Sequence, residues 1–317
     1  MKPAIEINQL TKQYGKSDVF AVDHLSLSVN EGEFFAFLGP NGAGKTTTIS
    51  ILTTTLSKTS GEVRIAGYDI EKQAKDVRDN IGIIFQRPSL DPQLSAEENI
   101  RFHACLYGMY GYRPTFGMMP AAYKKRVEEL AEIVGMKDAL FKTVKNLSGG
   151  MQRKLEIMRS LIHSPKILFL DEPTQGLDAI SRRSLWEYIN NAHRENGTTV
   201  FLTTHSIDEA ENVDKVCIIN QGKIVISGSP DDMKQSLLRQ ELILDADNRE
   251  QLIAELSDMG LPYIIENHIV VSFRGLSMTA QEIIARLKTK LTVLKIKEPS
   301  LEDAYVEYLN RTGGGTI

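Results

Sequence analysis

Residues Gly39-Pro40-Asn41-Gly42-Ala43-Gly44-Lys45-Thr46 constrain this chain more than any other stretch. Five apolar residues, Phe34 to Leu38, precede them and read as a strand buried on both faces. A helix is expected to follow from about Gly44 through Thr46, Thr47 and Thr48 to Leu52. Strand, Gly-rich turn and helix in that order gather backbone N–H groups and a helix N-terminus around one point, which makes an anion site. The loop fits the phosphate-binding consensus at each constrained position. Lys45 is then expected to bridge β- and γ-phosphates, and Thr46 to ligate magnesium through its hydroxyl. The β-branched threonines are poor helix formers, so tertiary packing must hold that helix.

The remaining pattern alternates strands and helices, which favours an α/β fold with a parallel sheet covered by helices. Residues 5–10 begin with alternation and 25–29 alternate throughout, each giving a strand with one apolar face. Short strands are expected at 61–67 and 81–85. From about 88 to 164 helical periodicity dominates, as in a helical subdomain inserted into the core. Within it, residues 108–120 hold too much Gly and Pro for a continuous helix and read as a loop rich in large apolar side chains. Strands at 167–170 and 198–203 flank a helix over 180–196. A short helix after His205 leads to strands at 216–220 and 223–227, and Ser229-Pro230 opens a helix ending near Gln240. The pattern then restarts with strand 241–244, helix 249–259, strands 263–266 and 269–273, helix 279–290, a strand near 293–296 and a last helix from Leu301. The expected organisation is a core over 1–235, a small α/β accessory unit over 241–311 and a frayed tail over 312–317. No internal duplication is visible, so one nucleotide site per chain is expected.

Composition narrows the function. Lys plus Arg total 37 against 41 for Asp plus Glu, so nothing in the charge balance points to nucleic acid as the main partner. Cys105 and Cys217 are far apart, without metal-type spacing, and read as buried small hydrophobes in a reducing compartment. No stretch approaches the roughly 20 apolar residues of a membrane span. The first residues lack the apolar core of a signal peptide, so a cytoplasmic chain is expected.

Five further segments carry chemistry. The strand 167–170 ends in Asp171-Glu172. Asp171 needs a positive partner there, with magnesium the candidate; Glu172 is the candidate general base that orients an attacking water. Gln86 follows the strand 81–85, and His205 follows Thr203-Thr204. Taken alone, Gln86 is better explained as a solvated loop amide and His205 as a structural histidine. Ser148-Gly149-Gly150 opens a helix for which Ser148 is a good cap, and its N-terminus attracts anions. Tyr14 precedes Gly15 and is either a base-stacking aromatic or a strand-end core residue.

In this order, the Gly-rich loop, Leu147-Ser148-Gly149-Gly150-Met151-Gln152 and the Asp171-Glu172 strand resemble the ATP-binding cassette (ABC) ATPases over roughly residues 4–235. The resemblance implies a P-loop NTPase core of ABC-ATPase type, with ATP and Mg2+ as ligands. It implies that Tyr14 stacks on adenine, that residues from Gly39 to Thr47 hold the phosphates, and that Thr46, Gln86 and Asp171 attend the magnesium ion. It makes Glu172, His205 and Gln86 the catalytic set, with Gln86 and His205 sensing the γ-phosphate. Ser148, Gly149 and Gly150 would reach the nucleotide of a second copy, or of a close paralogue, in a head-to-tail dimer. Gly176-Leu177-Asp178 is similar to the family's D-loop, which touches that partner. Residues 85–91 and 298–305 look like the daunorubicin-resistance type of exporter ATPase, which pairs with separate ABC-2 type permeases. The stretch 108–120 departs from that pattern by its added length. The implied function is an ATPase subunit, peripheral on the inner face of the cell membrane, that powers export of drugs, lipids or other hydrophobic compounds. A cassette acting in soluble macromolecular or cofactor assembly is the other reading.

Overall fold

The computed structural model describes residues 2–15, 19–86, 89–237, 241–272 and 278–297. Strands β1 (Pro3–Gln13) and β2 (Phe20–Asn30) pair antiparallel, with Ile7 opposite Leu27. β3 (Phe34–Leu38) is buried at every residue and runs into α1 (Lys45–Leu52). β4 (Ser60–Ile65) and β5 (Tyr68–Asp69) complete an antiparallel sheet in the order β2-β1-β4-β5. α2 (Ala74–Asn80) leads to β6 (Ile81–Ile84).

The chain then leaves the sheet for α3 (Ala96–Leu106), α4 (Ala121–Ile133) and α5 (Gly149–Leu161). Ser95 starts α3 with a capping box: its hydroxyl takes the Glu98 N–H, and Glu98 takes the Ser95 N–H. Residues 108–120 contain a single 3-10 turn, Phe116–Met118. Their apolar side chains are partly spent inside the subdomain. Met119 is buried, Tyr110 and Phe116 meet the buried Tyr123 edge-on, and Tyr112 stacks on Phe102 at 5.6 Å. Arg101, buried beside Glu97, anchors the loop by donating to the Arg113 carbonyl at 2.6 Å.

The core resumes with β7 (Ile167–Asp171), α6 (Ala179–Asn196), β8 (Thr199–Thr204), β9 (Lys215–Asn220) and β10 (Lys223–Gly228). Their sheet runs β10-β9-β3-β8-β7-β6, and the neighbours from β9 to β6 are parallel. β3, β7 and β8 are buried on both faces, which explains the apolar runs 34–38, 167–170 and 200–202 within them. Phe35, Phe37, Phe169 and Phe201 fill the space between this sheet, the antiparallel sheet and α1. Each such burial stabilises by about 1.5–3 kcal/mol. It outweighs the weak helix propensity of the α1 threonines, as expected. Cys217 is buried here, which pushes its thiol up to about 12, while Cys105 is only half-buried.

The compact units divide between Ser227 and Gly228, earlier than the expected boundary at 235. α7 (Pro230–Leu237) therefore groups with the second unit. Backbone pairing of β10 ends at Gly228, and Ser229 at once caps the new helix by accepting the Asp232 N–H at 3.0 Å. The second unit contains β11 (Glu241–Ala246), α8 (Arg249–Asp258), β12 (Tyr263–Ile265), β13 (Ile269–Ser272), α9 (Ala280–Arg286) and β14 (Leu291–Lys297). Its sheet is antiparallel in the order β12-β13-β11-β14, over a core of Leu242, Leu244, Leu252, Leu256, Ile269 and Ile283. α9 stops at Arg286, short of the expected Lys290. The N–H groups of Lys288 and Thr289 donate to the Glu255 carboxylate instead, which turns the chain into β14. The last expected helix, the tail 312–317 and the motif 298–305 lie outside the described residues, as do Arg87 and Pro88.

Candidate functional site

Sheet register builds the site. Leu38 lies beside Thr204 and Asp171 beside Thr203, so β3, β7 and β8 end together. The chain leaving those three strands supplies the Gly-rich loop, Glu172 and His205. Parallel sheets bind ligands at this end. Gly44 has φ 108°, and a Cβ there would stand 2.4 Å from the Ala21 carbonyl oxygen, so a side chain is excluded.

Lys45 is buried, and its Nζ donates to the carbonyl oxygens of Gly39 at 2.7 Å and Pro40 at 3.2 Å. It also lies 3.5 Å from Glu172 Oε1. Glu172 Oε2 faces His205 Nδ1 at 3.2 Å and accepts from Gln86 Nε2 at 3.5 Å. One carboxylate thus joins the loop lysine, the glutamine after β6 and the histidine after β8. The Glu172 backbone is left-handed at φ 45°, an uncommon conformation that costs a non-glycine residue about 1–3 kcal/mol. Its N–H donates to the Thr203 carbonyl at 3.0 Å, which holds the turn.

Asp171 is buried, accepts from Thr203 Oγ1 at 2.6 Å and lies near the Thr46 hydroxyl. Burial pushes its carboxyl above the ordinary range, and nearby Glu172 adds to the rise. The two hydroxyls and Lys45 pull the other way without reversing it. Such a carboxylate fits a hard cation. Thr46 and Asp171 with phosphate oxygens make the all-oxygen set that magnesium prefers. Among the described residues no group of three or more His, Cys, Asp or Glu is placed to hold a metal by itself.

Tyr14 is half-exposed and does not belong to the core. Its hydroxyl lies 3.4 Å from Thr47 Oγ1, and Lys12 Nζ stands 5.2 Å from its ring centre. The ring is therefore tethered beside the phosphate loop with room for a second stacking partner.

Ser148 caps α5 by accepting the Met151 N–H at 3.3 Å. The two glycines behind it differ. A Cβ on Gly149 would meet nothing within 4 Å, whereas one on Gly150 would stand 2.5 Å from Ser181 Oγ. Gly149 presents open backbone, and Gly150 lets α5 pack against α6. Asp178 caps α6, accepting from Ser181 N at 2.9 Å and Ser181 Oγ at 3.0 Å. Ser148 is bonded by Met151 and Gln152, and Gly150 lies against Ser181, none of which belongs to the Lys45–Glu172 cluster.

Several supporting residues escaped the sequence reading. Gln86 Nε2 donates to Gln175 Oε1 at 2.7 Å. Glu209 takes the hydroxyls of Thr174 and, at 2.6 Å, Thr204, which fastens the loop after Glu172 to the loop around His205. Arg153 on α5 donates from Nε to the Pro173 carbonyl at 2.9 Å. In sequence, Thr203 and Thr204 show only as two hydroxyls closing the apolar run 200–202.

Fold and loop together define a P-loop nucleoside triphosphatase. Comparison with known proteins narrows this class. The ABC transporter family matches residues 22–175. The chain is 38% identical over 237 residues to the probable multidrug ABC transporter ATP-binding protein YbhF of Escherichia coli (strain K12). That match takes in 75% of this chain and only 39% of the relative's length. The daunorubicin resistance ATP-binding protein DrrA3 of Streptomyces coeruleorubidus is 36% identical, with 73% of this chain and 70% of the relative covered. Among solved structures, a dimeric post-hydrolysis state of the ATP-binding cassette MJ0796 bound to ADP and Pi aligns with a TM-score of 0.63 at 27% identity. It covers 71% of this chain and 98% of the other. The chain belongs to the ABC transporter family.

Proposed function

We propose that this chain binds and hydrolyses ATP to drive a separate membrane permease, of the ABC-2 exporter type, that moves drugs or other hydrophobic compounds. The observation that supports this most is the Glu172 carboxylate, held among Lys45, Gln86 and His205 at the mouth of the phosphate loop. Lys45 and the loop N–H groups from Gly39 to Thr47 bind the β- and γ-phosphates, and Tyr14 stacks on the base. Glu172 accepts hydrogen bonds and orients a water for in-line attack on the γ-phosphorus. His205 and Gln86 fix that carboxylate and donate toward the γ-phosphate. Magnesium, when bound, would be held by Thr46, Asp171 and Gln86, and supplies charge neutralisation on the phosphate oxygens.

Two copies pair head to tail. Ser148, Gly149 and Gly150 of one copy face the γ-phosphate bound by the other, and Asp178 lies at the shared interface. The MJ0796 cassette, dimeric with ADP and Pi, supports this arrangement. YbhF and DrrA3, named for multidrug transport and daunorubicin resistance, support export of hydrophobic compounds. No helix among the described residues is long and apolar enough to cross a membrane. Location on the inner face of the membrane therefore depends on the permease. The test is magnesium-dependent phosphate release by the purified chain, with co-purification of a permease from detergent extracts. Release without magnesium, or a complex of soluble proteins alone, refutes the reading.

A further inference from the structure

The hydrolytic cluster and the Ser148 helix are joined by one buried side chain. Arg153 lies on α5 and is 5% exposed. Its Nε donates to the carbonyl of Pro173, the residue after Glu172. Its Nη1 donates to the carbonyl of Phe85, the residue before Gln86, and at 2.7 Å to Glu156 Oε2. Glu156 is fully buried, and its second oxygen accepts the Ser89 N–H at 3.0 Å. Arg159, one turn on, donates to the Ser89 carbonyl at 2.6 Å. Both ends of the segment around Gln86 are thus tied to α5, and so is the turn that aims Glu172.

An apolar residue would fill this space without desolvating a charge. What the guanidinium adds is a rigid planar fork that reaches two carbonyls in different directions, which a lysine cannot do. Its Nη2 is buried without a hydrogen-bond partner among the described residues, so the fork is held for its two carbonyl bonds at the expense of a third nitrogen.

We propose that Arg153 is a positioning residue that fixes Gln86 and Glu172 relative to the Ser148 helix. The proposal rests on reading the cluster as an ATPase site. Through this clasp a displacement of α5 reaches Gln86 and Glu172 together, and the reverse.

The test uses the full-length chain carrying Arg153→Lys, which keeps the charge and most of the stem, and Glu156→Gln as a second variant. Two readouts are taken: steady-state ATPase kinetics, and hydrogen–deuterium exchange of the chain without nucleotide. The expected result for Arg153→Lys is ATP affinity within about twofold of the parent with kcat about tenfold lower. Exchange should rise in the segments around Gln86 and around Glu172 to Gln175, and not in β3 or β8. An unchanged kcat, exchange unchanged in those two segments, or a rise spread evenly through the sheets would overturn the proposal. A parent chain without ATPase activity would sink the functional reading, and the exchange pattern would still decide the clasp.

Discussion

Replacing Gly149 and Gly150 one at a time by alanine separates what each does. The new methyl at 149 meets no atom within 4 Å, and its backbone is not in the left-handed region. Alanine is a better helix former than glycine by up to about 1 kcal/mol in a helix interior. At the first turn of α5 the gain is smaller, so the variant should be as stable as the parent or slightly more so. If Gly149 offers its backbone to the γ-phosphate held by a second copy, the methyl stands where the anion must approach. Loss of one charge-assisted hydrogen bond is about 1.5–3 kcal/mol, or roughly 10- to 150-fold in rate. At 150 the methyl would collide with Ser181 Oγ, 2.5 Å away, and break its bond to Asp178. That should cost about 1 kcal/mol of stability, partly restored by Ser181→Ala. The assays are urea unfolding and phosphate release on the same preparations. A Gly149→Ala protein that is folded and fully active would refute the reasoning, because its open surface would then serve no nucleotide.

Three further outcomes are expected. Glu172→Gln should lower ATP turnover by at least about 100-fold while retaining ATP, and should elute as a dimer in gel filtration with Mg·ATP; unchanged turnover removes Glu172 as the base. Asp171→Asn should raise the thermal midpoint near neutral pH while abolishing magnesium-dependent hydrolysis. A carboxyl with a raised folded pKa loses stability as pH rises through its titration, and at pH 7 its charge is a cost that the amide lacks; a midpoint that falls would contradict this. Asp245 is held well below the usual carboxylate range, first by Arg249 and then by His268. Its contribution is present above the unfolded pKa near 4 and lost as pH falls further. Thermal melts of the chain at descending pH should therefore lose less stability in Asp245→Asn than in the parent.

The local parts of the site were legible and the spatial parts were not. A buried strand, a Gly-rich turn and a helix start are consecutive, so residues 34–52 could be read almost as the structure has them. Asp171 and Glu172 announced themselves by following an apolar strand. Their partners could not. Gln175 matters because it bonds Gln86, and Glu209 because it bridges Thr174 and Thr204, and neither relation has a fixed spacing in sequence. Arg153 carries no motif, and its bonds to the carbonyls of Pro173 and Phe85 join residues 20 and 68 positions away. Gly150 and Asp178 had readings as partner-facing residues, and the fold gives both a second job within the chain, at Ser181. In the second unit, the pull of Glu255 on Lys288 and Thr289 ended α9 before its periodicity did.

Because Asp171 and Thr203 are register partners, the geometry of the proposed site depends on the alignment of β7 with β8. A slip of one residue between them would turn the threonine hydroxyl to the opposite face, strip the aspartate of its donor and draw His205 away from Glu172. Phe169 and Phe201, themselves register partners two residues nearer the base of the sheet, hold that alignment by packing their rings against each other, tilted at 47° with centres 5.5 Å apart. The proposed activity can therefore be lost through a cavity deep under the sheet, by a change that touches none of the residues of the site.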